Sequence, residues 1–235
     1  MEQLRKKAEK LGITLNDIQC HQFQQYYEYL VEKNKVMNLT GITEKEEVID
    51  KHFIDSLGLA ASFDLTKEQQ VLDLGTGAGF PGIPLKIAFP NLNITLLDSL
   101  NKRIKFLDEV IELLGLEHIT TIHGRAEDFA KPGKLREQFD LCVSRAVANL
   151  SSLSEYCIPY VKEHGYFISY KSGNIEEELE KAQKAIKILG GKISGVKEFT
   201  IPDTDISRTF VMIEKRKATP KRFPRRAGLP SKDPL

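Results

Sequence analysis

The stretch Val71-Leu72-Asp73-Leu74-Gly75-Thr76-Gly77-Ala78-Gly79-Phe80-Pro81-Gly82 decides the fold class. A short apolar strand runs straight into a loop with glycine at every second position. Without a Cβ, glycine lets the backbone come close to a ligand. Such a loop at the carboxyl end of a first strand is where doubly wound sheets bind nucleotides. The dinucleotide fingerprint needs a third glycine at position 80, but Phe80 stands there. That residue, with Asp73 just before the loop, favours a nucleoside cofactor without phosphates over NAD.

Two further elements follow on successive strands. Asp98 ends the next strand, about twenty residues on, where a carboxylate would accept from both ribose hydroxyls. Gly124-Arg125-Ala126-Glu127-Asp128 follows the strand after that, at the height of an adenine ring, where the Ala126 region offers a backbone amide and Glu127 an acid. Each has a plainer alternative. Asp98 could be a helix N-cap, Glu127 a solvated loop acid, and Asp73 a brace for the loop backbone that never touches the ligand.

Around this centre, strands are expected near Ile94–Leu97, Ile119–Ile122, Asp140–Val143, Gly165–Tyr170, Gly195–Phe199 and Thr209–Ile213. Helices are expected near Ile83–Ala88, Lys102–Leu114 and Ile175–Leu189. This alternation implies a parallel sheet with helices on both faces. The last two strands have no helix between them, so a hairpin with one antiparallel strand is expected. Upstream lie three helices: Glu2–Leu11, Asn16–Met37 and Thr43–Ala61. In the second, Ile18, Phe23, Tyr26, Tyr27, Leu30 and Val31 form an apolar stripe; Thr43 with Glu46 has the form of a capping box. The chain thus divides into a helical extension (1–62), an α/β domain (63–216) and a basic, proline-rich tail (217–235) expected to be mobile when free.

The 235 residues carry a net charge of +1, 41% hydrophobic and 29% charged residues, which is ordinary globular composition. Cys20, Cys142 and Cys157 are too few and too scattered for a disulfide framework or a zinc site. With no leader segment and no membrane-length apolar run, a cytoplasmic protein without a metal is expected. No long exposed apolar face demands a partner; a monomer is expected, though the oligomeric state is not written in the sequence.

Asp73-Leu-Gly-Thr-Gly-Ala-Gly-Phe-Pro-Gly82, Asn38-Leu-Thr-Gly41, His52-Phe-Ile-Asp-Ser56, Gly124-Arg-Ala-Glu127, Ser144-Arg-Ala-Val147 and the basic tail together resemble the RsmG family, also called glucose-inhibited division protein B. The Phe80-Pro81-Gly82 ending, Ser144-Arg145-Ala146 and Asn38-Leu39-Thr40 make the resemblance specific. It implies a class I S-adenosylmethionine-dependent methyltransferase fold: a Rossmann-like, mostly parallel seven-stranded sheet with one antiparallel strand, preceded by a helical extension. It implies S-adenosylmethionine contacts at Gly75, Gly77, Phe80, Asp98, Ala126, Glu127 and Arg145, to which the loop adds Asp73 and Gly79 as candidates. The implied activity is methylation of guanine N7 in 16S ribosomal RNA, within the decoding region of the small ribosomal subunit.

The chemistry agrees with this. Guanine N7 has a free lone pair and loses no proton on methylation, so alignment matters more than a base. Pyrimidine C5 methylation needs a cysteine nucleophile; Cys142 and Cys157 read as small core residues. Arg145, at the end of the fourth strand, is the candidate catalytic residue, contacting guanine O6, a phosphate or the cofactor; the alternative is a salt bridge to a loop acid. Lys171, Lys221, Arg222, Arg225 and Arg226 are candidate RNA contacts, with Phe223 placed to stack on a base. Removing residues from Thr219 onward should then weaken RNA binding and spare cofactor affinity. A solubilising tail is the plainer alternative. His52 and Asp55 read as a buried hydrogen-bonded pair bracing the extension against the sheet, while Asn38, in the turn after the long helix, either caps the next element or approaches the acceptor. The competing functions are a methyltransferase acting on a small molecule or protein, and a catalytically silent RNA-binding assembly factor.

Overall fold

The computed structural model describes residues 1–145, 148–173 and 175–235; Ala146 and Val147 of the Ser144–Val147 motif lie outside the described residues. Strands β1 (Gln70–Leu74), β2 (Asn93–Asp98), β3 (Ile119–His123), β4 (Phe139–Ser144), β5 (Val161–Lys171), β6 (Gly191–Thr200) and β7 (Ser207–Lys215) form one sheet in the order β3-β2-β1-β4-β5-β7-β6. β7 pairs antiparallel with both its neighbours, and the other pairings are parallel. The expected single antiparallel strand is therefore β7. Strand order reverses between β1 and β4, creating a crevice at their carboxyl ends.

The sheet divides two cores by simple alternation. Val71, Leu141, Val143 and Ile168 face one, with α5 (Gly82–Ala88) and α6 (Asn101–Leu114). Leu72, Leu74, Cys142 and Phe167 face the other, with α8 (Leu150–Cys157) and α9 (Glu176–Ile188). Cys142 and Cys157 are both buried, and burial pushes the Cys142 thiol well above its ordinary value.

The extension adds to the first core. α1 (Glu2–Lys10) ends at a left-handed Gly12. α2 (Asp17–Met37) buries Gln19, Phe23, Tyr26 and Leu30. Ile18, expected in that stripe, is 71% exposed. Gln19 takes the inward position because its amide has polar work there: it caps α2 reciprocally with Asn16 and donates to Ile87 O at 2.8 Å. The capping box expected of Thr43 and Glu46 does not form; the residue before α3 (Lys45–Val48) is Glu44, with no side-chain cap bond. After α3 the rod widens into a π-helical stretch, Ile49–Ile54, returns to α pitch at α4 (Asp55–Leu57) and tightens to 3-10 over Gly58–Ala61. Asn38 stands as the left-handed C-cap of α2 (φ 51°), the helix before it and not the element after it.

The tail is the main departure. Expected to be mobile, it packs along α8 and ends in a short α10 (Leu229–Lys232). Phe223 is buried in the second core. Arg136 donates to Thr219 O at 2.5 Å and to Phe223 O at 2.7 Å. Buried Lys215 donates to Ile158 O and Thr219 Oγ1. Proline-rich sequence without periodicity therefore conceals an ordered strap, because its hydrogen-bond partners lie some eighty positions away.

Candidate active site

A cavity of about 570 Å³ opens at the carboxyl ends of β1–β4, within the usual range for small-ligand sites. Its floor is the glycine loop. Gly75 and Gly77 adopt φ of 73° and 62°, and a Cβ on either would meet nothing within 4 Å. Their bare backbones thus face open space on the cavity side. Gly79 (φ 99°) differs: a Cβ there would strike Ile83 at 2.6 Å and the Tyr26 hydroxyl at 2.7 Å. It is glycine for packing and lies behind the wall.

Asp73 also stands behind the loop. Its Oδ2 accepts from Thr76 Oγ1 at 2.7 Å and from Gly82 N at 2.8 Å, which ties the two ends of the turn together. Burial pushes its carboxyl up to about 6, against those two hydrogen bonds. Asp98 does line the cavity. Its Oδ2 accepts from Gly77 N at 2.9 Å and from Arg103, and its Oδ1 from Leu100 N. Since α6 begins after Leu100, Asp98 is not its N-cap residue. Ala126 and Glu127 line the opposite end at the start of α7 (Ala126–Phe129). Glu127 is 6% exposed, and its Oε1 accepts from Gly228 N at 2.7 Å. A solvated loop acid it is not: the tail reaches into this site.

Phe80, His52 and Arg145 close the remaining side. The His52 and Phe80 rings stack with centroids 4.4 Å apart, and the Arg145 guanidinium lies 5.0 Å from the Phe80 centroid. Arg145 donates to Asp55 Oδ2 at 2.7 Å and to Lys51 O at 3.0 Å, and its Nη2 lies 3.2 Å from His52 Nδ1. Asp55 Oδ1 lies 2.8 Å from Arg208 Nε. His52 and Asp55 are therefore not bonded to each other, as expected from their spacing, but joined through Arg145. Arg145's acid is likewise a buried residue of the extension and not a loop acid. Burial and the Arg145 charge push the His52 imidazole down to about 3, so it is neutral.

A second cavity of about 530 Å³ lies beyond this wall and shares His52 and Arg145 with the first. Lys171 lines it, its ammonium 2.7 Å from Glu178 Oε1. The other candidate RNA contacts are scattered. Lys221, Arg222 and Arg226 are exposed on the strap. Arg225 forms a fork with fully buried Glu155, with Nε–Oε1 3.0 Å and Nη2–Oε2 2.7 Å. Phe223 is packed in the core, not placed to stack on a base; its ring carries the Arg222 guanidinium at 5.0 Å. No cluster able to hold a metal ion occurs among the described residues.

The chain matches the family model described as rRNA small subunit methyltransferase G over residues 19–207. The chain belongs to that family. A protein of Lachnoclostridium phytofermentans named ribosomal RNA small subunit methyltransferase G is 57% identical over 225 residues, covering 96% of this chain and 93% of the relative. The same name is borne by a Lactobacillus johnsonii protein 53% identical over 232 residues, with coverage of 98% and 97%. Among solved structures, M. jannaschii TYW2 in complex with AdoMet superposes with a TM-score of 0.57 at 16% identity, covering 74% of this chain and 79% of that one. That likeness shows the fold of class I methyltransferases.

Residues that family motifs did not flag complete the site. Asn34 Oδ1 accepts from Leu39 N and Thr40 N, and its Nδ2 donates to Thr40 O at 2.9 Å, which fixes the 38–40 turn against the cavity. An asparagine one turn before a helix end is a weak local signal for this. Arg208, on β7, had none.

Proposed function

We propose that this chain transfers a methyl group from S-adenosylmethionine to N7 of a guanine in 16S ribosomal RNA of the small ribosomal subunit. The observation that carries the proposal is the cavity itself: open glycine backbone, a ribose-height carboxylate and an adenine-height loop, on a chain that belongs to this family. The residues fit the cofactor. Gly75 and Gly77 leave the room a Cβ would fill, Asp98 stands at ribose height, Ala126 and Glu127 at adenine height, and Phe80 with Arg145 bounds the methionyl side. When bound, the cofactor supplies a methyl group activated on a sulfonium.

The chain's own contribution is alignment and exclusion of water. N7 has no proton to lose, and His52, neutral and engaged at both ring nitrogens, is arranged as a support and not as a base. Arg145 sits between the two cavities and fixes the wall against which donor and acceptor meet; we place the acceptor base on the second cavity's side. Lys171 and the exposed Lys221, Arg222 and Arg226 would contact phosphates, while Arg225 serves the strap's own structure. Residues 1–62 form the extension that builds the wall, 63–216 the methyltransferase domain, and 217–235 the strap. A ribosomal RNA substrate supports activity in the cytoplasm; separately, no helix among the described residues is long and apolar enough to cross a membrane.

Labelled-methyl transfer to naked ribosomal RNA, isolated small subunits and a protein extract tests the proposal. Label in RNA supports it. Label only in protein or small molecules favours the other methyltransferase class, and cofactor binding without transfer favours a silent assembly factor.

A further inference from the structure

Two carboxylates line the second cavity, and they differ in what they leave for a ligand. Asp55 is spent inside the protein: its Oδ2 accepts from Arg145 at 2.7 Å, its Oδ1 lies 2.8 Å from Arg208 Nε, and its side chain is 3% exposed. Glu178, on α9, lines the second cavity and not the first. Its Oε1 is fixed from two directions, accepting from Leu150 N at 2.6 Å, at the start of α8, and from the Lys171 ammonium at 2.7 Å. Lys171 is itself held by Ala148 O at 2.9 Å. Glu178 Oε2 accepts no hydrogen bond among the described residues. The side chain is thus anchored through one oxygen, and the other keeps its lone pairs for a ligand.

A carboxylate can only accept, so this oxygen calls for a donor. Guanine's N7 and O6 are acceptors, and the arginines and lysines around the cavity can serve only that kind of atom. Its donors, N1–H and the N2 amino group, lie on the Watson–Crick edge, away from N7. Bases taken out of a stack are read on that edge. Adenine has no amino group at C2, and its N1 is an acceptor, so it would set lone pair against carboxylate. We infer that Glu178 Oε2 accepts from the N1–H and N2 amino groups of the acceptor guanine, turning N7 towards the wall at Arg145 and selecting guanine over adenine. This rests on the guanine-N7 proposal above and adds a specificity-determining residue to it. Lys171 acts on this choice through Oε1, as a positioning residue.

The test compares wild type and Glu178→Gln on small subunits reconstituted with 16S RNA carrying either guanine or hypoxanthine at the methylated position. Hypoxanthine keeps N7, O6 and N1–H and lacks only the N2 amino group. Glutamine keeps an oxygen for Leu150 and Lys171 but puts a donor nitrogen where Oε2 stood. Cofactor dissociation constants are measured alongside. Wild type should lose about ten- to hundredfold in kcat/KM on hypoxanthine, the range for a hydrogen bond to a charged group. Glu178→Gln should lose about as much on guanine, distinguish the two acceptors by no more than about threefold, and bind cofactor as wild type does. Equal wild-type kcat/KM on the two acceptors overturns the inference, whether or not the variant folds. So does an equal loss by the variant on both acceptors, which marks a carboxylate that merely anchors α8 and Lys171. Wild-type transfer to a base other than guanine in unaltered subunits would instead bring down the underlying proposal, and this inference with it.

Discussion

His52 offers the sharpest test at the scale of a single residue. In the unfolded chain its imidazole takes up a proton near pH 6.5, but in the fold only near 3. Unfolding therefore binds a proton throughout that window, and this group's contribution to stability falls as pH drops, by about 1.4 kcal/mol per unit. The Asp73 carboxyl, raised to about 6, works in the opposite sense between its ordinary value and 6, so the comparison must be with a variant that keeps it. The stability gap between wild type and His52→Asn, measured by urea unfolding from pH 7 to 4.5, should close progressively below pH 6.5. A constant gap would mean that His52 is not held neutral. Arg145→Ala leaves Asp55 with Arg208 as its remaining ion-pair partner and should cost about 1–3 kcal/mol of stability. Methyl transfer should fall further, by about a hundredfold, on the proposal that this wall positions both reactants. Arg145→Lys should not restore it, because an ammonium cannot reproduce the guanidinium's fork. Steady-state kinetics beside thermal melts separate the two effects. Only part of this chain of contacts was legible in the sequence: His52 and Asp55 read as a buried pair, but their link runs through Arg145, some ninety positions on, and exists only once β4 and the extension meet.

At the scale of elements, legibility followed the reach of the forces. β1, β2 and β4 are short apolar runs because both their faces are buried, and the glycine loop announces itself by the missing Cβ atoms at 75 and 77. The α2 stripe was readable except at Ile18, where the polar Gln19 won the inward position because its side chain accepts from Asn16 N and donates to Ile87 O and Ala88 O. The strap was not readable, since it has no period of its own and is held by Arg136, Glu155 and the second core. The Arg225 fork is the clearest case. Arg225→Ala would leave the fully buried Glu155 carboxylate with only the backbone N–H of residue 225 among these contacts. That should cost about 2–4 kcal/mol and lower Tm by roughly 5–15 °C. An unchanged melting temperature would mean that the strap is not docked.

For the whole molecule, the strap changes what truncation should do. A free basic arm would give up RNA affinity alone. Here the removed segment carries Phe223, the Arg225 fork and the Gly228 N–H that Glu127 accepts. Ending the chain at Ala218 should therefore weaken cofactor binding and lower stability, as well as reduce RNA affinity. Calorimetric titration with S-adenosylmethionine and a melting curve check this; cofactor affinity equal to wild type would restore the picture of an independent arm.

The central claim concerns the atom that receives the methyl group. The most direct measurement is to incubate the protein with labelled S-adenosylmethionine and unmethylated small subunits, digest the RNA to nucleosides and identify the labelled one. We predict N7-methylguanosine, arising from a single position of 16S ribosomal RNA and lost with Arg145→Ala. Label in any other nucleoside, or none in RNA, would contradict the account.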